Sequence, residues 1–156
     1  MQNLILLQTW NQTYAFVKQT LVSLTDDNAA LRLLPTTSSA CFLLQHMAES
    51  GVLLLNAIFN ANINFSGVTL NGATDEGQTG NAAFVQSLWN QFDEHVQTSI
   101  KYAAQFPPTH TFESFLGPKT AAEGLAVITH HTNYHLGQAQ LSLKRGQVYE
   151  PQLVAA

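Results

Sequence analysis

The strongest constraint on the fold is the spacing of apolar residues in four long segments. Apolar residues recur there at steps of three and four, which is the period of an amphipathic helix. The segments run from about Asn3 to Leu24, about Thr37 to Asn60, about Asn81 to Gln105 and about Thr120 to Lys144. No segment predicts a convincing strand, although "FSGVTL" could pair briefly. The sequence therefore predicts an all-α four-helix bundle, formed as a single domain over residues 1–156.

The same spacing predicts which residues line the interior of the bundle. The expected inward residues of the first three helices are Leu4, Leu7, Tyr14, Val17, Leu21, Leu24, Ala40, Leu43, Met47, Leu54, Ile58, Phe84, Leu88, Phe92, Val96 and Ile100. Those of the fourth helix are Ile128, His131, His135, Gln138 and Ser142. Trp10 and Trp89 are interpreted as core or interface aromatics. The apolar stripes of the first and third helices offer more hydrophobic surface than one core needs, so a homodimer is expected.

The connections between these segments are rich in helix breakers. The first connection, "TDDNAALRLLPTTSS", ends in Thr and Ser residues suited to cap the second helix. Pro107 stops the third helix, and Gly146 is well placed to stop the fourth. The stretch "INFSGVTLNGATDEGQTG" is long and glycine-rich for a connector, which favours a crossover or a functional loop. We expect an up-down bundle with a long crossover loop.

Composition excludes several classes of function. The net charge is −4 with only six Lys and Arg residues, so no basic patch for nucleic acid is expected. The N-terminus lacks the basic start and cleavage site of a signal peptide, and the apolar run "VLLLNAIF" is too short to cross a bilayer. We therefore expect a cytoplasmic protein with no membrane partner. The single cysteine, Cys41, excludes an internal disulfide and a cysteine-rich zinc site.

Three histidines stand out in the second and fourth segments. His131 and His135 are one turn apart on the expected inward face, whereas His130 lies about 100° around the helix. His46 precedes the inward Met47. If the second and fourth helices are neighbours, the three imidazoles leave one tetrahedral position open, as in catalytic zinc sites. Nickel and ferrous iron would also accept this set. Alternatively, an inward histidine is a hydrogen-bonded core residue.

Two residues near these histidines are candidates for catalytic roles. Gln138 is inward and follows His135 by about one turn, so it could fix a ring tautomer or hold a water on the metal. Glu49 follows His46 by about one turn and is the best candidate for the general base of a hydrolase. Alternatively, Glu49 is a solvated residue of the helix surface. No GxSxG elbow, phosphate loop or HExxH motif is present.

Two stretches resemble one protein family. "HHTNYHLGQAQLSLKRG" is similar to the fourth-helix signature of the DinB/YfiT-like superfamily, in which a His, three residues and a second His are followed shortly by Gly-Gln. "LLPTTSSACFLLQHMAES" is similar to the entry to that family's second helix. The resemblance implies a four-helix bundle that commonly forms homodimers, with metal ligands at His46, His131 and His135. It also implies either thiol-dependent transfer and isomerisation or metal-dependent hydrolysis.

Two hypotheses for function follow. In the first, one divalent ion, expected to be zinc with nickel or iron as alternatives, activates a low-molecular-weight thiol or a water for reaction with a small-molecule substrate. In the second, the chain is a non-catalytic metal-binding or small-molecule-binding protein of a stress response. An open three-ligand site beside a cavity would favour the enzyme, whereas a closed four-ligand site would favour a structural role.

Overall fold

The computed structural model describes residues 2–70 and 81–149, with the side chains of residues 2 and 3 left out. Four helices are present, with limits within about three residues of those predicted. They are α1 (Gln2–Ser23), α2 (Ala40–Phe59), α3 (Ala82–Ala103) and α4 (Ala121–Arg145). The expectation of no strand was wrong, because β1 (Thr111–Phe112) pairs antiparallel with β2 (Lys119–Thr120) just before α4. Two-residue strands are too short to produce a detectable alternation of apolar and polar residues.

The helix ends are fixed by polar side chains and by a glycine. Ser39 caps α2 and Asn81 caps α3, each by accepting a hydrogen bond from the backbone N–H three residues further on. Thr120 and Glu123 form a reciprocal capping box at the start of α4, and these hydrogen bonds lower the pKa of the Glu123 carboxyl. Gly146 follows the last residue of α4, as predicted.

The arrangement of the helices places α2 against α4. This is the most extensive helix pair of the bundle, while α1 packs mainly against α3 and α4. At the α2–α4 contact, Gly124 faces Ile58, where an added Cβ would lie 2.5 Å from Ile58 Cγ2. The second and fourth helices are therefore neighbours, which is the condition under which His46 was expected to join His131 and His135. Since α2 and α3 are also neighbours, the connections that cross the bundle are 24–39 and 104–120 rather than the glycine-rich stretch.

The centre of the bundle is aromatic. Trp10 and Trp89 are completely buried, and the Trp10 ring stacks on Tyr14 at a centroid distance of 6.0 Å. Both tryptophans meet Phe92 edge-on. Trp89 Nε1 donates a hydrogen bond of 2.8 Å to the Leu44 carbonyl. Both tryptophans are thus core residues, and they contribute nothing to a dimer surface.

Most predicted inward residues are buried, with two errors. Leu4 and Phe84 are 64% and 52% exposed, respectively. The buried stripe of α3 starts instead at Ala82 and Val85, one step around the helix, and leads into Trp89. The position of the large indole ring sets the rotation of the helix, and the apolar period alone did not resolve this first turn.

The most apolar helix, α2, is long and apolar enough to cross a membrane by length and composition alone, with a mean hydropathy of 1.3. However, 61% of this span is buried inside the bundle. Its buried residues lie against α3 and α4. Gly51 is so close to the Phe92 ring of α3 that an added Cβ would be 2.2 Å from Cζ. Packing in the core accounts for the composition of α2.

Candidate metal centre

His46 from α2 and His131 and His135 from α4 converge into one cluster. Each offers a ring nitrogen, and these three nitrogens lie within 4.8 Å of one another. The ring centroids are 5.5 Å apart for His46 and His131, 5.0 Å for His46 and His135, and 4.8 Å for His131 and His135. Among residues 2–70 and 81–149, no fourth His, Cys, Asp or Glu joins them.

The cluster lies at the edge of the core rather than at its centre. The most buried stripe of α4 consists of Gly124, Leu125, Ile128, Thr132, Leu136, Ala139 and Ser142. His131, His135 and Gln138, which the sequence placed on the inward face, are half-buried beside this stripe. Ile128 and Ser142, predicted on the same face, are buried, so the two histidines and Gln138 lie along the edge of the predicted inward face. This position leaves the imidazoles partly accessible, as ligands of an exchangeable or catalytic ion must be.

The His46 ring is fixed by a backbone carbonyl. Its Nδ1 lies 2.9 Å from Thr69 O. A carbonyl oxygen can only accept, so Nδ1 carries the proton and donates it. The lone pair of the neutral ring is then on Nε2. An outer hydrogen bond of this kind is typical of metal-binding histidines, since it sets both the ring orientation and the ligating nitrogen.

Thr69 is itself fixed by Glu49. One oxygen of this carboxylate, Oε2, accepts hydrogen bonds from Thr69 N at 2.8 Å and from Thr69 Oγ1 at 2.5 Å. The other, Oε1, accepts from Gln45 Nε2 at 2.8 Å. Glu49 is only 3% exposed, so its alternative interpretation as a solvated surface residue was wrong. A chain of contacts thus runs from Glu49 through Thr69 to the His46 ring.

The stretch that carries Thr69 is also held at its start. Asn56 of α2 accepts a hydrogen bond from Ile63 N at 2.7 Å and donates one to Ile63 O at 2.9 Å. The described part of the glycine-rich stretch, up to Leu70, therefore lies against α2 at two points. Residues 71–80, also included in the predicted crossover or functional loop, lie outside the described residues.

His135 is oriented by Gln138, one of the two roles expected of that residue. His135 Nδ1 lies 2.7 Å from Gln138 Oε1. The amide oxygen accepts, so Nδ1 again carries the proton and Nε2 keeps the lone pair. On its other side, the His135 ring meets the Tyr134 ring edge-on, with centroids 4.8 Å apart. Gln138 and Thr69 thus select the same tautomer in two rings.

His131 has weaker polar contacts than the other two rings. Ser50 Oγ is 3.5 Å from both of its ring nitrogens, and this hydroxyl donates a hydrogen bond to the His46 carbonyl. Burial, followed by the proximity of His135 and His46, lowers the pKa of His131 to about 4. Burial also lowers the pKa of His135, although the Gln138 hydrogen bond opposes the shift. Both rings are therefore neutral at pH 7, as metal coordination requires.

The donor set fits a divalent ion of the zinc type. Three neutral imidazoles match the nitrogen ligands of catalytic zinc, at bond lengths of about 2.0–2.1 Å. Tetrahedral ligands at that length are about 3.3 Å apart. The rings must therefore approach one another by up to roughly 1.5 Å, a distance that small side-chain rotations cover. His131, which is held least firmly, has the most freedom to make this adjustment.

An open groove borders the cluster. It has a volume of about 630 Å³ and lies between α2 and α4, lined by Leu54, Ala126, Val127, His130, His131 and Tyr134. His130 is exposed and is not a member of the cluster, as the helical period predicted. His95 and His110 are also outside the cluster, and the His110 ring stacks on Phe106 at 4.3 Å.

Three residues that support the site were not predicted from the sequence. Thr69 lies in a glycine-rich stretch without apolar periodicity, and its role depends on a fold-back against α2 that no local pattern specifies. Gln45 and Ser50 lie on α2, within four residues of His46. Their spacing from His46 was visible, but their contacts depend on the rotation of α2 in the bundle.

The fold and the cluster define a four-helix bundle with a three-histidine centre between α2 and α4. A family model described as the DinB superfamily matches residues 6–139, and the chain belongs to this superfamily. It is also similar to the crystal structure of a DinB-like protein from Bacillus cereus ATCC 10987, with a TM-score of 0.67 and 18% identity over 93% of this chain and 94% of that one. That likeness supports the shared fold. The curated proteins searched contain no match to the chain.

Proposed function

We propose that this protein is a metal-dependent enzyme that transfers a low-molecular-weight thiol to a small-molecule electrophile. One divalent ion, zinc in preference to nickel or iron, would be held by His46, His131 and His135. The observation that carries the proposal is the convergence of three ring nitrogens beside an open groove. In two of the rings, His46 and His135, a hydrogen bond from Nδ1 leaves Nε2 free to bind an ion. Activation of water for hydrolysis is the second candidate, since the same open position serves both.

The chemistry of the transfer needs little from the protein beyond the ligands. When bound, the ion supplies an electrophilic position that favours the thiolate over the thiol at neutral pH. The thiol sulfur provides the electron pair of the new S–C bond, and the leaving group departs with the electrons of the broken bond. The thiol proton passes to solvent. The chain needs no nucleophile of its own, and its single cysteine, Cys41, is buried.

We assign Glu49 and Gln138 to positioning. Gln138 keeps the proton of His135 on Nδ1 through its 2.7 Å contact. Glu49 acts through Thr69, whose carbonyl does the same for His46. Both carboxylate oxygens of Glu49 already accept hydrogen bonds from protein donors, an arrangement that favours positioning over the predicted role as general base. A hydrolase of this design would need another base.

The non-catalytic alternative is less well supported. A stress-response binding protein needs neither an open ligand position nor access for a second reactant, and the groove beside His131 offers such access. We place the reaction in the cytoplasm, where low-molecular-weight thiols are kept reduced. We also propose a homodimer. Its support comes from the exposed apolar residues Leu4, Ile5, Phe16 and Val22 of α1 rather than from the tryptophans.

A thiol screen tests the proposal. Protein loaded with zinc, nickel or iron is mixed with cysteine, glutathione or coenzyme A and a chlorodinitrobenzene electrophile, and conjugate formation is followed by absorbance and mass spectrometry. We expect at least one thiol to react faster with wild type than with His135→Ala, while His130→Ala stays close to wild type. Equal rates for wild type and His135→Ala with every thiol would contradict the transferase assignment.

A further inference from the structure

The groove between α2 and α4 is continuous with the histidine cluster. His131 belongs to both, so one end of the groove is a proposed metal ligand. Tyr134, which also lines the groove, packs its ring against His135. A molecule lying in the groove would therefore present one end to the cluster while the rest contacted the groove walls.

The walls of the groove are mainly apolar. Leu54 projects from α2, and Ala126 and Val127 project from α4. Among the described residues, no Asp, Glu, Lys or Arg lines the groove. A charged group placed against Leu54, Ala126 and Val127 would lose hydration without gaining an ionic partner from these side chains. An alkyl or aryl group would instead remove apolar surface from water on both sides, which stabilises binding in proportion to the area buried.

We propose that this groove binds the uncharged apolar body of the electrophile to which the thiol is transferred. The inference rests on the proposed function for the identity of the reaction. It specifies the substrate class, an electrophilic carbon attached to an alkyl or aryl body, with the reactive carbon at the His131 end. The sulfur forms its bond to that carbon, and the leaving group departs with the electron pair and is released to water.

The dimensions of the groove favour a small molecule over a second copy of the chain. Its volume of about 630 Å³ lies within the range of about 300–1,000 Å³ typical of small-molecule sites. A stable protein interface needs about 800 Å² from each partner, far more than six lining residues provide. His131 of the cluster also lines the groove, so a protein partner seated there would cover this ring and hinder the approach of the second reactant.

Unreactive product analogues test this inference. The probes are 2-(alkylthio)ethanols with ethyl, butyl and hexyl chains, titrated into metal-free and zinc-loaded protein by calorimetry and by methyl NMR. We expect affinity to rise about two- to fourfold per added methylene, with shifts at the Leu54 and Val127 methyl groups. In the metal-free protein, a hexyl analogue ending in a carboxylate should bind no more tightly than the ethyl compound. Affinity independent of chain length would overturn the proposal.

Matched variants locate the binding. Ala126→Phe adds a ring at an exposed position inside the groove and should remove the chain-length dependence, whereas Ala83→Phe makes the same change at an exposed position of α3 and should preserve it. An unchanged dependence in Ala126→Phe would contradict the assignment. A second result would also contradict it: wild-type affinity that does not change with chain length, together with an Ala126→Phe variant that sediments as a monomer while wild type sediments as a dimer. That result would assign the groove to a second copy of the chain. The metal-free protein is titrated as well, so binding in the groove is measured independently of metal binding and of the transfer reaction. Failure of the proposed function is therefore distinguishable from failure of this inference.

Discussion

Replacement of Glu49 by Gln tests the positioning role, because it preserves size and removes the charge. The carboxylate accepts three hydrogen bonds, from Thr69 N, Thr69 Oγ1 and Gln45 Nε2. Charge-assisted hydrogen bonds contribute about 1.5–3 kcal/mol each and neutral ones about 0.5–1.5. A loss of about 1 kcal/mol per bond over three bonds predicts that Glu49→Gln lowers the free energy of unfolding by about 2–3 kcal/mol.

The same substitution should weaken zinc binding. Loosening of Thr69 releases the Nδ1 partner of His46, and loss of such an outer contact typically reduces metal affinity about 10–100-fold. Urea unfolding measures the stability change, and competition with a chromophoric chelator measures the zinc affinity. Glu113→Gln, at an exposed position, is the matched control and should change neither. Wild-type zinc affinity in Glu49→Gln together with a large loss of turnover would instead support a general base.

Three further predictions concern the neighbouring residues and the assembly. Gln138→Leu should weaken zinc binding about tenfold, since His135 loses the partner that fixes its tautomer; chelator competition measures this, and unchanged affinity would refute it. The metal-free protein should lose stability as pH falls from about 6.5 towards 4, because His131 binds its proton more weakly when folded than when unfolded. The loss, reduced by the ring's access to water, should be about 1–2 kcal/mol in urea unfolding. It should be smaller in His131→Asn, in which His135 still has a lowered pKa. Light scattering should give the mass of a dimer, and a monomer mass at all concentrations would exclude one.

The sequence predicted the helices and the pairing of two histidines on α4 because each depends on a local period. The three- and four-residue spacing located all four helices, and the spacing of His131 and His135 placed both rings on one side of α4. What remained open was the packing of one helix against another. His46 joins the cluster only because α2 and α4 are neighbours, a relation that the apolar stripes alone did not specify.

The errors share a physical cause. An apolar period gives the direction of a buried face to within about one residue, or roughly 100°. That margin separates Phe84 from the truly buried Val85, and His131 from the truly buried Thr132. Glu49 shows the same limit. Its position one turn after His46 was correct, but its burial depends on Thr69, which is twenty residues away in the chain.

Zinc binding by wild type, His135→Ala and His130→Ala tests the central claim most directly. The two substitutions remove adjacent rings of the same helix, one inside the cluster and one exposed at the groove. Metal analysis after dialysis against a zinc buffer, with calorimetric titration, should give one zinc per chain for wild type and His130→Ala and none for His135→Ala. A wild-type protein that binds no divalent ion, or loss of binding in His130→Ala but not in His135→Ala, would contradict the assignment of the metal site.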